Sequence, residues 1–425
     1  MKRIAGVVGS VAVLAALTVG TVMADPGSAQ PAPTEVVDVY ADLDVSSDHD
    51  GHGSIVAASS TSDGAAEALP DVDPQPATAD RAASGVGCDQ TITTEYLNAS
   101  FDHGVDSIAG ADYQRAFELP DGRVLWVFQD AFVDDGVGDP TLVHNAGLLQ
   151  DGACFNALHS GSLESPRSWV GADGTTALQH WYWPLDGFVA DDETFVLFLA
   201  EMDEVGATYL ENATPVATWS VEIDLVSMSV GPLERSPNPD ERLYGFEVTT
   251  DEEFVYLYAQ CHRQFGFGML GHDECAADVF IARQPLDQPR SHPLEYWTDD
   301  GWTRNSNGAI NVAPTTGPDG VERTVNPMQI ERDGDRWIAV TLVGDWWGDQ
   351  IYYDVAPRPE GPWTTTAVEP LPDNGDVDIA SYFVSFVPSD DPDYTLAVSN
   401  NRWDGEFSAH YRPQFVAAPS ELWEE

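Results

Sequence analysis

The sequence predicts an all-β fold, a five-bladed β-propeller, in residues 88–425. Three observations predict it. A hairpin-like unit recurs five times, the stretches between copies hold further strand-like runs, and all 13 Trp of the 425-residue chain fall in residues 88–425. That length exceeds an ordinary domain and suits one built from repeats.

Ahead of the propeller the chain reads as a leader and a tether. Lys2 and Arg3 precede an apolar stretch at residues 4–22, and Val22-Met23-Ala24 offers a small-residue cleavage site, so residues 1–24 are expected to be a signal peptide. Residues 25–87 are rich in Ala, Ser, Thr, Pro, Gly and Asp and nearly free of aromatics. Such a segment buries too little apolar surface to fold and is expected to be a disordered tether. The mature protein is expected to be extracellular and monomeric, with no membrane attachment after cleavage.

The five hairpins follow in order. They span residues 111–130 around Pro120-Asp121-Gly122, 184–202 around Asp191-Asp192-Glu193, and 245–260 around Asp251-Glu252-Glu253. The last two span residues 326–345 around Asp333-Gly334-Asp335, and 381–401 around Ser389-Asp390-Asp391-Pro392. Each pairs two runs of β-branched and aromatic residues across an acidic or Gly-containing turn. Strand-like runs at 218–225, 277–283 and 350–356 leave room for about four strands in a repeat of about 68 residues.

Residues 88–425 contain 59 acidic and 15 basic residues, a net charge of −44. A field of that sign repels nucleic acid and anionic lipid and argues against phosphate-binding functions. Gly266-Phe267-Gly268-Met269-Leu270-Gly271 matches a dinucleotide pattern but lacks its βαβ context, so no nucleotide is expected. Cys88 with Cys154, and Cys261 with Cys275, are the disulfides expected of an exported chain. A zinc site on Cys261, His262, His272 and Cys275 is the competing reading of the second pair. Asn98-Ala99-Ser100 and Asn212-Ala213-Thr214 are glycosylation sequons.

In a propeller, residues early in the first strand of a hairpin and late in its second share one mouth. Asp112 and Asp130 stand nine residues either side of Asp121. The matching early positions hold Asp186, Glu247, Asn326 and Tyr382, and the late ones Glu201, Gln260, Asp345 and Asn400. Two facing carboxyls ionise unequally, which supplies an acid and a base at one pH. Across a hairpin their Cβ atoms would lie about 5 Å apart, nearer the spacing of retaining than of inverting glycosidases. Asp112 and Asp130 are therefore the expected catalytic pair.

Sugar faces stack on aromatics while hydroxyls need fixed polar partners. Trp183, Trp346, Trp347, Tyr382, Asn145, Asn400 and Arg402 are the expected substrate contacts, with Asp186 and Glu247 holding hydroxyls or tuning charge. Other readings remain: Trp residues fill sheet interfaces, and rim aspartates cap backbone amides or gather a structural calcium ion. No cofactor is required. The alternative function is a non-catalytic glycan-binding or surface-interaction propeller.

Gly110-Ala111-Asp112, leading to Leu125-Trp126-Val127-Phe128-Gln129-Asp130, resembles the G-T-D…F-G-D-T opening of a family of secreted bacterial five-bladed propellers. That family was long known as an uncharacterised domain and includes endo-D-arabinanases. The similarity continues through Trp183-Pro184-Leu185-Asp186-Gly187, Val279-Phe280-Ile281-Ala282-Arg283, Glu295-Tyr296-Trp297 and Pro359-Glu360-Gly361-Pro362-Trp363, covering most of residues 109–415. The resemblance implies that Asp112 and Asp130 match the family's essential acids, and that the substrate is an arabinan-like or other cell-wall polysaccharide. Ala111, Gln129 and Ala131 depart from the pattern, where Thr, Gly and Thr are usual.

Overall fold

The computed structural model describes residues 88–102, 104–171, 180–204, 213–237, 239, 242–260, 278–287, 290, 293–318, 320, 323, 328–342, 350–371, 379–402 and 411–423. Nearly all of the regular structure among these residues is β, with one α-helix, Thr94–Phe101. Among the described residues no helix is long and apolar enough to cross a membrane. The leader, the tether, Cys261, Cys275, the glycine-rich motif and Asn212 of the second sequon lie outside the described residues.

Each predicted hairpin opens one antiparallel sheet whose strands follow in chain order. Sheet 1 comprises Arg115–Glu118, Val124–Phe128, Ala146–Asp151 and Cys154–Leu158. Sheet 2 comprises His180–Asp191, Thr194–Glu204, Ala213–Asp224 and Glu234–Ser236. Sheet 3 has five strands rather than four: Glu247–Thr250, Phe254–Ala259, Phe280–Pro285, Glu295–Thr298 and Gly301–Thr303. Sheet 4 comprises Gln329–Asp333, Arg336–Leu342, Gln350–Ala356 and Thr364–Pro370, and sheet 5 has three strands, Ile379–Val387, Tyr394–Arg402 and Pro413–Ala418. A small sheet of Ile108–Ala111, Ala131–Val133 and Thr141–Val143 sits beside sheet 1 in sequence.

Turn chemistry explains the hairpins. Asp121 Oδ1 accepts the Arg123 N–H, Asp191 Oδ1 that of Glu193, and Asp251 Oδ1 those of Glu253 and Phe254, at 2.8–3.2 Å. These side chains supply acceptors that a tight turn otherwise lacks. Gly122, at φ +84°, takes the left-handed conformation the first turn needs.

The two-residue period of the second strands then divides the core. In sheet 1, Leu125 and Val127 face Phe195, Leu197 and Leu199 of sheet 2, while Trp126 and Phe128 face Val387, Ala397 and Phe415 of sheet 5. Sheets 2 and 3 meet through Phe198, Ala200, Val255 and Leu257, sheets 3 and 4 through Tyr256, Tyr258, Ile330 and Ala339, and sheets 4 and 5 through Ile338, Val340, Val384 and Leu396. The first strands of sheets 2, 3, 4, 5 and 1 touch in that succession.

Residues 88–102 seal the junction of sheets 5 and 1. Thr93 caps the helix by accepting the Tyr96 N–H, and Leu97 and Phe101 bury against Trp126 and Phe415. The Asn98 amide donates to Phe415 O at 2.8 Å and accepts the Phe415 N–H at 2.9 Å, standing in for a strand partner beside the three-stranded sheet. On the other flank a disulfide joins Cys88 to Cys154 in sheet 1.

Candidate active site

Backbone irregularities aim the polar side chains inward. Residues 112–114 interrupt what the sequence presents as one long first strand, and Tyr113 there adopts φ +49°, its N–H donating to Ser399 Oγ at 2.9 Å. The interruption seats Asp112 against Asp130: Asp112 N–H donates to Asp130 O at 3.1 Å, and Asp130 N–H donates to Asp112 Oδ1 at 3.1 Å. A register shift between Pro184 and Gly187 turns Asp186 inward, and one between Ser381 and Phe383 does the same for Tyr382. Gly187 is required at its bulge, since a Cβ there would meet the Phe195 ring and Val196 O at 2.5 Å.

Around the acid pair, Tyr382 Oη donates to Asp112 Oδ2 at 3.0 Å, and the Tyr411 hydroxyl also bonds to Asp112. Asp130 Oδ1 accepts Trp183 Nε1–H at 2.8 Å and lies 3.0 Å from His144 Nδ1, whose ring stacks on Trp181. Asp112 is 8% exposed. Burial, and then the nearby Asp130 carboxylate, push the Asp112 carboxyl up to about 8, against the opposing pull of the Tyr411, Tyr382 and peptide hydrogen bonds. Asp112 therefore holds a proton at neutral pH. Burial, followed by the Asp112 charge, drives both Tyr382 and Tyr411 well above the usual phenol range, so their hydroxyls stay intact.

Three residues further along the first strand, Arg115 is the centre of a second cluster. Its Nη1 reaches Glu247 Oε2 at 2.6 Å, Gln329 Oε1 at 2.5 Å and Asp186 Oδ2 at 3.5 Å, and its Nη2 donates to Phe246 O at 2.8 Å. The Phe383 ring lies 5.1 Å from the guanidinium. One side chain of sheet 1 thus touches sheets 2, 3, 4 and 5. Asp186 also accepts the N–H of Val248 at 2.6 Å, and Glu247 that of Ile330 at 2.7 Å, so each acid clasps the first strand of the following sheet. Burial raises both carboxyls, Asp186 to about 6 against the pull of Arg115, and Glu247 further, with the Asp186 charge adding to its shift.

The residues expected on one rim are therefore divided. Asp112, Asp130, Trp183 and Tyr382 are bonded together, while Asp186 and Glu247 belong to the Arg115 cluster and bond to protein groups on all their oxygens. Asn145 bonds with its whole amide to the backbone of Val170 and Tyr182, and Asn400 Oδ1 accepts the Ser381 hydroxyl. Glu201 accepts Trp219 Nε1–H at 2.5 Å. Asn326, Asp345, Trp346 and Trp347, and the Arg402 side chain, lie outside the described residues. Among the described residues no three His, Cys, Asp or Glu side chains are grouped to hold a metal ion.

Three contributors escaped the sequence reading: His144, Tyr411 and Arg115. Arg115 carried a usable signal, a lone base within a strand in a domain with only 15 bases. His144 and Tyr411 carried none, since their roles depend on contacts to residues 14 and almost 300 positions away.

Fold and site together define a nearly all-β protein of packed antiparallel sheets, with a hydrogen-bonded aspartate pair of which Asp112 is buried and its carboxyl raised. Its fold is similar to that of a candidate hydrolase from Bacteroides ovatus, with TM-score 0.58 and 17% identity over 76% of this chain and 88% of that one. Lower similarity extends to the GH43_1 enzyme from Xanthomonas citri complexed with xylotriose, at TM-score 0.42 and 14% identity over 76% and 92% of the two chains. CoXyl43, a GH43 β-xylosidase/α-arabinofuranosidase from a compost microbial metagenome, also in complex with xylotriose, gives TM-score 0.42 and 15% identity over 74% and 92%. The chain belongs to the family described as a domain of unknown function, DUF5005, whose model matches residues 97–418. No curated protein matches it.

Proposed function

We propose that this protein is an exported glycoside hydrolase, a five-bladed β-propeller that cuts an arabinan-like or other cell-wall polysaccharide with Asp112 and Asp130. The observation that carries the reading is the paired aspartates, one kept protonated at neutral pH by burial and by the charge of the other. Five hairpin-opened sheets whose first strands succeed one another support the propeller.

In this reading Asp112 donates its proton to the leaving glycosidic oxygen as the C–O bond breaks. Asp130, held by Trp183 Nε1 and beside His144, meets the positive charge that develops at the anomeric carbon. The two residues are cross-strand neighbours, a closeness that favours attack by Asp130 to form a glycosyl ester. Water hydrolyses the ester, its proton returning to Asp112. The edge of Trp183, bonded to Asp130, and the ring of Trp181, stacked on His144, bring apolar groups close to the pair.

The test is release of reducing ends from a panel of bacterial and plant polysaccharides, arabinan and arabinogalactan included, by the wild type, Asp112→Asn and Asp130→Asn. Release by the wild type that each substitution lowers by about 10³-fold or more supports the reading. Binding without release, untouched by either substitution, replaces it with a glycan-binding propeller.

A further inference from the structure

Asp112 is served by two phenols that reach it from different elements. Tyr382 comes from the first strand of sheet 5, at its register shift, and is 7% exposed. Tyr411 precedes the last strand and is 5% exposed. Its carbonyl accepts the Ala111 N–H at 2.7 Å, the next residue, Arg412, donates through Nε to Ala109 O at 3.0 Å, and the Phe132 ring packs edge-on against its own. Further along the same strand, Phe415 is pinned through both backbone groups by Asn98 of the helix. A side chain fixed from so many directions holds its hydroxyl at one place, bonded to the Asp112 carboxyl and to the Tyr382 hydroxyl.

The carboxyl's remaining partners among the described residues are the Asp130 N–H and the Asp130 carboxylate; none of these is a cation. A buried phenol needs only one acceptor to be satisfied. Two phenols converging on one uncompensated acid do more than satisfy themselves. They supply the hydrogen bonds that an ionised Asp112 needs once its proton has gone, without the full charge that would strip the proton beforehand.

We propose that Tyr411, together with Tyr382, is a positioning residue for the acid pair, clamping the Asp112 carboxyl in place and stabilising it in the moment after it gives up its proton. The role in turnover rests on Asp112 being the proton donor; the clamp itself is open to direct titration. His144 faces Asp130, and Tyr113 faces Tyr382, so neither stands between the phenols and Asp112.

The experiment follows the carboxyl ¹³C signal of Asp112, identified by its loss in Asp112→Asn, through a pH titration of the wild type, Tyr411→Phe, Tyr382→Phe and Asp130→Asn. Both phenols lower the Asp112 value, so either Phe substitution is expected to raise its midpoint by about one pH unit, about tenfold in proton affinity. Asp130→Asn removes the like charge and is expected to lower it. In a hydrolysis assay the alkaline limb moves with the Phe midpoint while acid-side kcat falls, as a merely structural defect would not produce. Midpoints unchanged in both folded Phe variants overturn the clamp. Midpoints that move as expected, in a protein that cuts no glycan, support the clamp and overturn the hydrolase reading. Tyr382→Phe carries the same test if Tyr411→Phe does not fold.

Discussion

Asp186 and Glu247 each take a peptide N–H from the following sheet and share the guanidinium of Arg115, whereas Asp112 takes one peptide N–H, two phenols and, among the described residues, no cation. Both regions are buried acid clusters, and Asp112 and Arg115, which anchor them, stand three residues apart in the chain. The difference lies in what surrounds the oxygens. Where a cation and obligatory backbone donors converge, a carboxyl ties sheets together and its removal leaves donors orphaned. Where partners are hydroxyls that can donate or accept, the carboxyl is free to keep or lose a proton.

The largest effect that separates the two regions is expected at Arg115. Arg115→Met leaves Asp186, Glu247, Gln329 and Phe246 O without their shared donor, and a loss of about 3–5 kcal/mol in chemical denaturation is expected. A loss below about 1 kcal/mol would remove the distinction between clasp and acid pair, since ordinary surface changes reach half that size.

Next in size is Asp112→Asn, which is expected to stabilise the fold while abolishing activity. With its folded value raised to about 8, Asp112 contributes stability that is complete below about pH 4 and is lost as pH rises through 8. The Asn variant has no such loss. Its advantage should grow from near zero at pH 4 to about 2–4 kcal/mol at pH 7 and level off above 8. Thermal or denaturant unfolding across that range checks both the sign and the window; a variant less stable than wild type at pH 7 contradicts it.

Asp186→Asn sharpens the comparison from the other side. Its two oxygens accept the N–H groups of Gly187 and Val248, and an amide can accept only one of them. A loss of about 1–3 kcal/mol is expected at pH 4, shrinking as pH rises through 6 because the Asp186 carboxyl is raised to about 6 in the folded protein. The smallest effect is expected from Asn400→Ala. Among the described residues it removes an acceptor from Ser381 Oγ, so about 1 kcal/mol of stability is at stake and the Asp112 titration should not move.

All five hairpins were legible in the sequence because strand periodicity and acidic turns are local signals. Leu125 and Trp126 announce opposite faces by alternation alone, and Asp121, Asp191 and Asp251 announce turns by hydrogen-bonding their own neighbours. Asp112 and Asp130 were legible for the same reason: nine residues either side of one turn, they had to face each other. Asp186 and Glu247 were legible as members of their first strands, but their partners were not. Their environment is decided by Arg115, and by Val248 and Ile330 in neighbouring sheets, which no local pattern reports.

The helix Thr94–Phe101 shows the same boundary between local and distant information. Its Thr93 cap is a local feature, but its use as the missing partner of a three-stranded sheet rests on Asn98 meeting Phe415, 317 residues away. By itself the sequence determined the β class, the hairpins, the facing aspartates and a charge that repels polyanions, because each follows from composition or from spacing within some twenty residues. Only the tertiary structure decided which acids are clasps and which hold a proton. Ionisation depends on burial and on the charges and donors brought within a few ångströms, and the fold gathers those from all five sheets.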